Sequence, residues 1–408
     1  MTDVDQSAIE QAAQFEQLGL AFADEEATAV RASAEPQAMY LDRMQQCPVI
    51  RNENGSVQLL RMEDILTVNR SRDVEQASKY LGSNRKAIPL GLDGPEHTKY
   101  RRLLDPVFTA RRIAVLEPRI RDLAHKLIDT FIEDGEANVY DRWCQPLPST
   151  IFISILGLPR EHLDDFIRFK NMTLGIGFPK DLSMEQMMQL RIEAVQWLQA
   201  YFNDSLDARE SSGDPGDDMI GWLMTTEVEG DRLTRENILD ILGLLMIAGL
   251  DTVAGSLACM LSYFARHPDD RARVVADPSL WPDAVEELMR FESPVTDGGR
   301  IAMADMVLPS GEFIPEGTHM SISWSAANLD PAYFADPLTV DFGRRPNPHI
   351  AFASGFHRCL GSHLARMELR VALDAFHRRI PDYRIKPGVE LAYSGNPRTP
   401  LNLELVWR

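Results

Sequence analysis

The sequence predicts a mainly α-helical protein with small β-sheets, an α+β fold class. Helical hydrophobic periodicity recurs in long segments, and the longest runs from Thr234 to Arg266. The extended segments are short and close on turns, as at Asn54-Gly55 and at Pro309-Ser310-Gly311. Because no Gly/Ser-rich or Pro-rich linker divides the 408 residues, we predict one domain over residues 1–408, with a weakly helical or frayed segment over residues 1–33.

The first half of the chain alternates predicted helices with turns and loops. Helices are predicted at 36–46 and 62–68, on either side of the Asn54-Gly55 hairpin. Residues 77–94 contain glycines and Pro89 without a clear period, which is typical of a long loop. Further helical segments, each broken by glycine or proline, follow at Ile113–Ile132, Leu147–Leu158, Arg160–Met172 and Met184–Ser211, with a hinge-like loop over residues 173–182.

The second half contains the longest predicted helix and shorter elements. These are helices at Arg271–Val275 and Pro282–Phe291, a hairpin over 307–314, a loop with prolines and aromatic residues ending near Phe342, a helix from Ser362, and extended strands over 393–407.

Composition limits the class of protein and its compartment. The net charge of −19 argues against nucleic acid as a partner, although it does not exclude a local basic patch. The four cysteines show no C-x-x-C pair, which indicates a reducing compartment without disulfides. The first thirty residues are acidic and lack a signal peptide pattern, and the apolar run Ile241–Leu250 is shorter than the roughly 18 residues of a membrane span. We therefore expect a cytoplasmic protein with no membrane span.

The longest helix carries an unusual group of residues, Ala248-Gly249-Leu250-Asp251-Thr252. Residues 238–250 are apolar on nearly every side, which indicates a buried helix. There a glycine costs about 1 kcal/mol relative to alanine. A carboxylate costs more unless it is paired, and Thr252 can bond back to the Ala248 carbonyl and bend the helix. The group suits a groove that passes protons; the alternative is an aspartate in a core salt bridge beside a packed threonine.

A second unusual segment is the loop from Phe352 to Gly361, which ends where a helix begins at Ser362. Exposed N–H groups at a helix start favour the thiolate form of Cys359. Gly355 and Gly361 let the backbone pass close to a flat or bulky group. This combination suits an axial thiolate of haem iron. The alternatives are a buried free cysteine, and a zinc site that lacks the usual paired spacings and would draw on His349, His357, Cys359 and His363.

Two charged motifs are less informative. His97 and Arg101, four apart on a helix, suit an anionic group such as a carboxylate, but a solvated charged face is an alternative. Glu287-x-x-Arg290 is a common helical pair, worth a few tenths of a kcal/mol on a surface.

The loop resembles the haem-binding signature of the cytochrome P450 family through Phe352, Gly355, His357, Cys359 and Gly361, although the family more often has arginine in place of His357. Further motifs match in the same order along the chain, and the resemblance spans roughly residues 90–361. They are His97-x-x-x-Arg101, Ala248-Gly249-x-Asp251-Thr252, and Glu287-x-x-Arg290 with Asp341-Phe342-Gly343-Arg344.

The resemblance implies the cytochrome P450 fold, with the long central helix crossing a haem b and the ligand loop preceding a C-terminal helix. It implies the following site residues: Cys359 as the iron ligand; His97, Arg101, Arg300 and His357 at the propionates; Ala248, Gly249, Phe352 and Gly361 as further haem contacts; Asp251 and Thr252 as the acid–alcohol pair that delivers protons; and Glu287, Arg290 and Arg344 as a structural network.

The implied activity is insertion of one atom of dioxygen into a hydrophobic small molecule: a terpenoid, steroid, fatty acid or aromatic compound. The alternatives are phenol coupling, direct use of peroxide, or a haem-thiolate sensor without turnover. The expected cavity residues are Leu90, Leu92, Ile176, Phe178, Leu244, Ala248 and Val295, with Asp297 and Asn396 as candidate hydrogen-bonding groups.

The chain contains no flavin or nicotinamide motif, so we expect electrons from a separate ferredoxin. Such an acidic partner would dock on a basic patch at Arg111, Arg112 and Arg358, with Arg101 and Arg102 partly included. We expect the protein to be a monomer.

Overall fold

The computed structural model describes residue 30 and residues 32–77, 86–179 and 181–407. The frayed segment predicted over residues 1–33 lies almost entirely outside the described residues, as does the middle of the loop predicted over residues 77–94. The described part of that loop, residues 86–93, contains turns and no helix or strand.

The described chain is mainly helical. Its α-helices, in chain order, are α1 (Gln37–Gln46), α2 (Met62–Arg70), α3 (Gly94–Leu104), α4 (Ala110–Ile113), α5 (Glu117–Asp129), α6 (Pro146–Leu156), α7 (Leu163–Leu174), α8 (Met184–Ser212), α9 (Met219–Thr225), α10 (Arg235–Arg266), α11 (Pro268–Ala276), α12 (Trp281–Glu292), α13 (Trp324–Ala327) and α14 (Ser362–Arg379).

Shorter helical turns connect several of these helices. They are 3₁₀ turns at Asp105–Phe108, Ala114–Leu116, Ile132–Asp134, Arg160–His162, Pro278–Leu280 and Gly355–His357, and a π-helix at Tyr140–Cys144.

The strands are short. They are β1 (Val49–Arg51), β2 (Val57–Leu59), β3 (Val74–Gln76), β4 (Glu136–Asn138), β5 (Glu227–Val228), β6 (Asp231–Arg232), β7 (Asp297–Ala302), β8 (Met306–Val307), β9 (Phe313–Ile314), β10 (His319–Ser323), β11 (Arg384–Ile385), β12 (Tyr393–Ser394), β13 (Thr399–Pro400) and β14 (Glu404–Val406).

The prediction of a mainly α protein with small sheets is confirmed. The hairpin at Asn54-Gly55 forms between β1 and β2, and the hairpin around Gly311 forms between β8 and β9. The helix predicted over 113–132 is instead divided into α4, a 3₁₀ turn and α5. Strand β10 and helix α9 were not predicted, although turn or capping residues precede both: Pro315 and Gly317 before β10, and Gly216 and the N-cap Asp218 before α9.

The described residues divide into two compact units that alternate along the chain. The first contains residues between 75 and 104 and 149–250, and the second contains residues up to 74, 105–148 and from 251 onward. Neither unit is continuous in sequence, so no single linker separates them. The single domain over residues 1–408 stays a prediction.

The first unit is built around an antiparallel pair of helices, α7 and α8, that meet through aromatic side chains. Phe166 packs edge-on against Tyr201 with ring centroids 5.1 Å apart, and edge-on against Trp197 at 5.8 Å. The Tyr201 hydroxyl also contacts Nδ1 of His162 at 2.8 Å. Edge-to-face contacts of this kind add to apolar burial, and they fix the register of the two helices.

The main sheet of the second unit contains β1, β2, β10 and β7 in that order, and its fifth strand, β3, begins at Val74. β2 runs parallel to β10, and β10 runs antiparallel to β7. This register places Arg300 of β7 opposite Met320 of β10. Met320 and its β2 partner Val57 are fully buried, so one face of the sheet carries an apolar core of this unit.

The longest predicted helix is α10. The Thr234 hydroxyl accepts a hydrogen bond from the Asn237 amide at 3.2 Å, which caps its N-terminus as predicted. By length and composition α10 is also a candidate membrane span, but 72% of its most apolar window is buried inside the protein. A core helix passes the same test, so the burial accounts for its apolar composition.

A buried ion pair with further partners joins α12 to the loop after α13. Glu287 lies 2.8 Å from Nη2 of Arg290, and its Oε1 also accepts from Nε of Arg344 at 3.0 Å. Glu287 and Arg290 are almost fully buried. Arg290 donates in addition to the carbonyls of Asn328 and Pro337. The residues predicted as a structural network therefore fasten this loop to α12.

A second buried ion pair, which the sequence did not indicate, joins the end of α12 to the turn before β13. Nη1 of Arg398 donates to Oε2 of Glu292 at 2.9 Å, and both side chains are fully buried. Nη2 of Arg398 donates to the carbonyls of Ser33 and Ala34 at 2.9 and 3.0 Å. This one guanidinium therefore holds an early segment of the chain to a late one.

The Glu287 network yields a stability prediction. Arg290→Met should lower the free energy of unfolding of the protein by about 3–5 kcal/mol, because it leaves a buried carboxylate with part of its compensation removed. Denaturant unfolding measures the change. As a control, Asp283→Asn, which breaks the exposed pair with Arg345, should change stability by less than about 1 kcal/mol. Equal effects of the two variants would contradict the structural role.

Candidate functional site

The Cys359 loop begins with a 3₁₀ turn and ends at the start of α14. The Cys359 amide donates to the Phe352 carbonyl at 2.9 Å, and the Arg358 amide donates to the Gly355 carbonyl. Cys359 is exposed, whereas Cys144 and Cys259 are buried. Burial raises the pKa of the Cys259 thiol to about 12 and that of Cys144 well above its ordinary value. The alternative of a buried free cysteine thus describes Cys144 and Cys259, and it does not describe Cys359.

The zinc alternative is not supported. Among the described residues there is no group of three or more His, Cys, Asp or Glu side chains that could hold a metal ion. Nε2 of His349 instead contacts Glu286 at 2.9 Å, and Nε of Arg366 donates to Glu286 at 2.6 Å. Burial raises the pKa of Glu286, but the bonds from His349 and Arg366 outweigh it and bring the pKa to about 2.

Arg300, a predicted propionate ligand, lies buried in β7 in the same unit as Cys359. Its Nη2 donates to Oδ1 of Asn69 at 3.1 Å, and its Nη1 donates to the Gly299 carbonyl at 2.8 Å. The Asn69 side chain also donates from Nδ2 to Oγ of Ser354 at 2.9 Å. Asn69 was not identified from the sequence, because nothing in its own segment marks it.

The two glycines of the loop differ. Gly355 has φ +68°, and a Cβ there would lie 2.1 Å from the Asn69 carbonyl oxygen, so both backbone conformation and space require glycine. Gly361 precedes α14 with φ −83°, and a Cβ there would meet no protein atom within 4 Å. Only Gly355 is explained by a close approach of the protein's own backbone.

Helix α10 carries a partly exposed stripe in its otherwise buried middle. Between residues 241 and 264, the residues that are not buried lie at spacings typical of one helical face: Leu244, Ile247, Ala248, Gly249 and Thr252. Ala248 is the exposed one. The predicted groove at Ala248 and Gly249 and the hydroxyl-bearing Thr252 therefore lie on one stripe of this helix.

Gly249 also has a packing role. A Cβ at this position would lie 2.4 Å from the ring of Phe152, which is buried in α6 of the same unit. The neighbouring Leu250 carbonyl accepts a hydrogen bond from the Ser149 hydroxyl at 3.3 Å. Glycine at position 249 thus lets α6 and α10 approach closely.

Asp251 is buried and receives a hydrogen bond from a tyrosine that the sequence did not single out. The Tyr140 hydroxyl lies 3.4 Å from Oδ1 of Asp251. Burial, and then the Asp251 charge, raise the pKa of Tyr140 far above its ordinary value, so the phenol is neutral and donates the bond. Tyr140 begins the π-helix, and such bulges often occur at functional sites.

The predicted site residues of the first unit differ in burial. His97 is buried in α3 and Arg101, one turn later, is half-buried. Leu244 packs against Ala87 and Val195. The other predicted cavity residues of this unit are partly exposed: Leu90, Leu92, Ile176 and Phe178.

The structure shows a bridging role for Asn396 within the second unit. Its Oδ1 accepts from the Thr296 amide at 3.0 Å, and its Nδ2 donates to the Asp297 carbonyl at 3.2 Å. The Asp297 carboxylate accepts from the Thr296 hydroxyl at 2.7 Å. Both ends of the Asn396 amide therefore hold the segment that follows Val295. Its predicted contact with substrate stays a prediction.

Comparisons with known proteins identify the family. The family profile described as Cytochrome P450 matches residues 67–277 and 279–379. The chain is similar to a mycinamicin IV hydroxylase/epoxidase of Micromonospora griseorubida, with 34% identity over 325 residues, 78% of this chain and 79% of the relative. It is also similar to a steroid C26-monooxygenase of Mycobacterium tuberculosis, with 30% identity over 356 residues, 87% of this chain and 88% of the relative.

A solved structure agrees in fold. The crystal structure of CYP109E1 from Bacillus megaterium in complex with testosterone superposes with a TM-score of 0.84 at 25% identity, and the match covers 93% of this chain and 99% of that one. The family resemblance drawn from the loop and helix motifs is thereby confirmed.

One buried acid of α14, Glu368, yields a pH prediction. Burial raises its pKa from 4.5 to about 8, and its Oε1 has no hydrogen-bond partner among the described residues. The folded state therefore binds one more proton than the unfolded chain across that pH window, so the free energy of unfolding falls as pH rises through it. Glu368→Gln removes this slope, so relative to wild type it should gain several kcal/mol between pH 5 and pH 9.

Denaturant unfolding at both pH values measures this gain. The exposed Glu316→Gln serves as the control and should differ from wild type by the same amount at each pH. A wild-type and Glu368→Gln difference that does not change with pH would contradict the prediction.

Proposed function

This chain belongs to the cytochrome P450 family and is a monooxygenase, and from that premise we propose that it oxidises a hydrophobic small molecule with electrons from a separate ferredoxin. The observation that carries the proposal is the position of Cys359, an exposed thiol on the loop before α14. The relatives named as hydroxylases and monooxygenases speak against the alternative of a sensor without turnover.

The donor groups of the second unit fit a haem. Cys359 offers one sulfur, and a porphyrin brings its own nitrogen ligands, so one protein thiolate serves the iron where a bare metal ion would need several side chains. The buried guanidinium of Arg300 supplies a cation for a propionate. We therefore propose haem b as the cofactor, with Cys359 as the iron ligand.

The other predicted haem contacts follow from the same proposal. His97, Arg101, Arg300 and His357 would bind the propionates. Ala248, Gly249, Phe352 and Gly361 would be further haem contacts. When bound, the haem supplies dioxygen activation, which a thiolate ligand favours. The protein's part is to position this group, exclude water and move protons.

Proton delivery is assigned to the middle of α10. Asp251 is a buried carboxylate held by a neutral phenol, and Thr252, the next residue, lies on the partly exposed stripe. An acid next to a hydroxyl suits the transfer of protons from Asp251 toward the stripe through Thr252. The dioxygen route is favoured over direct use of peroxide, because peroxide already carries its protons and needs no such pair.

The substrate is proposed to be a hydrophobic small molecule: a terpenoid, steroid, fatty acid or aromatic compound. The predicted cavity side chains are hydrophobic, and the relatives' names include a steroid C26-monooxygenase and a mycinamicin IV hydroxylase/epoxidase. An uncharged molecule such as a steroid or terpenoid suits such a cavity better than an ionic one, because burying an unpaired charge costs free energy. A reducing cytoplasm, which keeps Cys359 reduced, suits the proposal as well.

The electron donor is proposed to dock near Cys359. Arg111 and Arg112 on α4 are exposed, and so is Arg358, next to the cysteine. All three lie in the second unit, where α4 packs against α14. In a chain with net charge −19, exposed cations close to the sulfur favour an acidic ferredoxin at this surface.

The monooxygenase function is tested with Thr252→Ala in haem-loaded protein, with testosterone as the probe substrate. Substrate binding and reduction should stay unchanged, while product formed per NADH consumed should fall several-fold and peroxide should rise. Turnover driven by added hydrogen peroxide should be preserved. Ser262→Ala, which removes another hydroxyl of α10 bonded to Tyr393, is the control. Unchanged coupling in Thr252→Ala would contradict the relay.

The partner is tested with the double variant Arg112→Glu, Arg358→Glu. The first electron transfer from a ferredoxin should slow at least tenfold at low salt and recover partly in Arg112→Lys, Arg358→Lys, because the attraction depends on charge. The control, Arg168→Glu with Arg232→Glu, makes the same change in net charge at exposed positions of the first unit. Equal slowing in both double variants would contradict a local docking surface.

A further inference from the structure

One buried amide in the second unit lies between two groups that the proposed function assigns to haem. Asn69, in the last turn of α2, is 5% exposed. Its Oδ1 accepts from Arg300 at 3.1 Å, and its Nδ2 donates to Ser354 at 2.9 Å. Arg300 is the proposed propionate ligand, and Ser354 precedes Gly355 in the loop that carries Cys359. A single side chain therefore connects the two.

The main chain of the same residue contacts the loop as well. The Asn69 carbonyl oxygen lies where a Cβ of residue 355 would be, only 2.1 Å from that ideal position. Gly355 takes φ +68°, which other residues rarely adopt. The loop is thus fixed on α2 both by the side-chain bond to Ser354 and by the close approach at Gly355.

An asparagine amide suits this position better than aspartate or leucine, the two residues of similar shape. A guanidinium only donates, so it requires an acceptor, and Nδ2 can donate to a hydroxyl at the same time. Aspartate would accept at both ends and would add a negative charge beside Arg300. Leucine could neither accept the hydrogen bond from Arg300 nor donate one to Ser354. Asparagine therefore orients the guanidinium through a neutral acceptor and does not itself neutralise the charge that an anionic propionate would bind.

We propose that Asn69 is a positioning residue that couples the placement of Arg300 to the placement of the Cys359 loop. Binding of the propionate and ligation of the iron are then linked events, because displacement of either partner moves the same amide. The inference rests on the proposed function, since it is a bound haem that uses both groups. The proposal assigns Asn69 no contact with iron or substrate, since it acts through Arg300 and Ser354.

The test uses the full-length haem-loaded protein and two substitutions at this position. Asn69→Leu removes both hydrogen bonds at similar volume. Haem transfer to excess apomyoglobin should accelerate about 10- to 100-fold, the range expected for a lost bond to a charged group. The reduced, carbon-monoxide-bound protein should also show a growing fraction of the absorbance of a protonated thiol ligand.

Asn69→Asp separates orientation from charge. The carboxylate still accepts from Arg300, and the Ser354 hydroxyl can turn to donate to it, so the thiolate-type spectrum should be retained. The added negative charge should nevertheless shift the haem reduction potential to a more negative value and speed haem loss. A role in packing alone would not produce this division between spectrum and potential.

A matched control is Asn328→Leu. Asn328 is a fully buried amide of the same unit whose Oδ1 accepts from the Ile350 amide at 2.7 Å and whose Nδ2 donates to Ser293 at 2.8 Å. It contacts none of the proposed haem ligands through its side chain. Its loss should lower the melting temperature while leaving the spectrum and haem transfer of the folded protein close to wild type.

The outcomes are distinct. If Asn69→Leu matches Asn328→Leu in haem transfer and spectrum, the inference is overturned. If wild type itself shows no thiolate-type absorbance, the proposed function fails and this inference with it. Should Asn69→Leu not fold, Ser354→Ala removes only the hydroxyl and should show the same spectral change; an unaltered spectrum there overturns the inference.

Discussion

The structure depends on how one loop, with only a single 3₁₀ turn of regular structure, holds the Cys359 sulfur in place. The Cys359 loop has few backbone hydrogen bonds of its own, the amides of Cys359 and Arg358 among them. Its position is determined from outside, by α14 that begins at its end and by α2 that meets it at Gly355 and Ser354. A thiolate ligand requires this kind of support, because a small displacement of the loop changes the ligand geometry directly.

The middle of α10 resolves two opposing demands. The helix must be apolar to lie inside the protein, yet the proposed proton transfer requires a carboxylate and a hydroxyl within it. The structure meets both by burying Asp251 against a neutral phenol and leaving only a narrow stripe, with Ala248 and Thr252, partly exposed. Gly249 serves a third demand, because the Phe152 ring occupies the space that a side chain would need.

Local signals made much of the fold predictable. Asn54-Gly55 specified a hairpin, Thr234 specified a helix start, and both form as expected. The motif around Cys359 likewise identified the family. The contacts that were missed join distant parts of the chain: Asn69 and Arg300 are 231 residues apart, and Tyr140 and Asp251 are 111 apart. Each of these contacts joins one residue to one distant residue, so the sequence around either residue shows no periodicity or spacing that would identify its partner.

The buried guanidinium of Arg398 has a practical consequence for protein engineering. It donates to the main-chain carbonyls of Ser33 and Ala34 while paired with Glu292. An N-terminal truncation that begins at Pro36 would therefore remove two acceptors from a cation that has no access to water. Trimmed or circularly permuted versions of the enzyme should retain these two peptide groups, even though neither belongs to the catalytic centre.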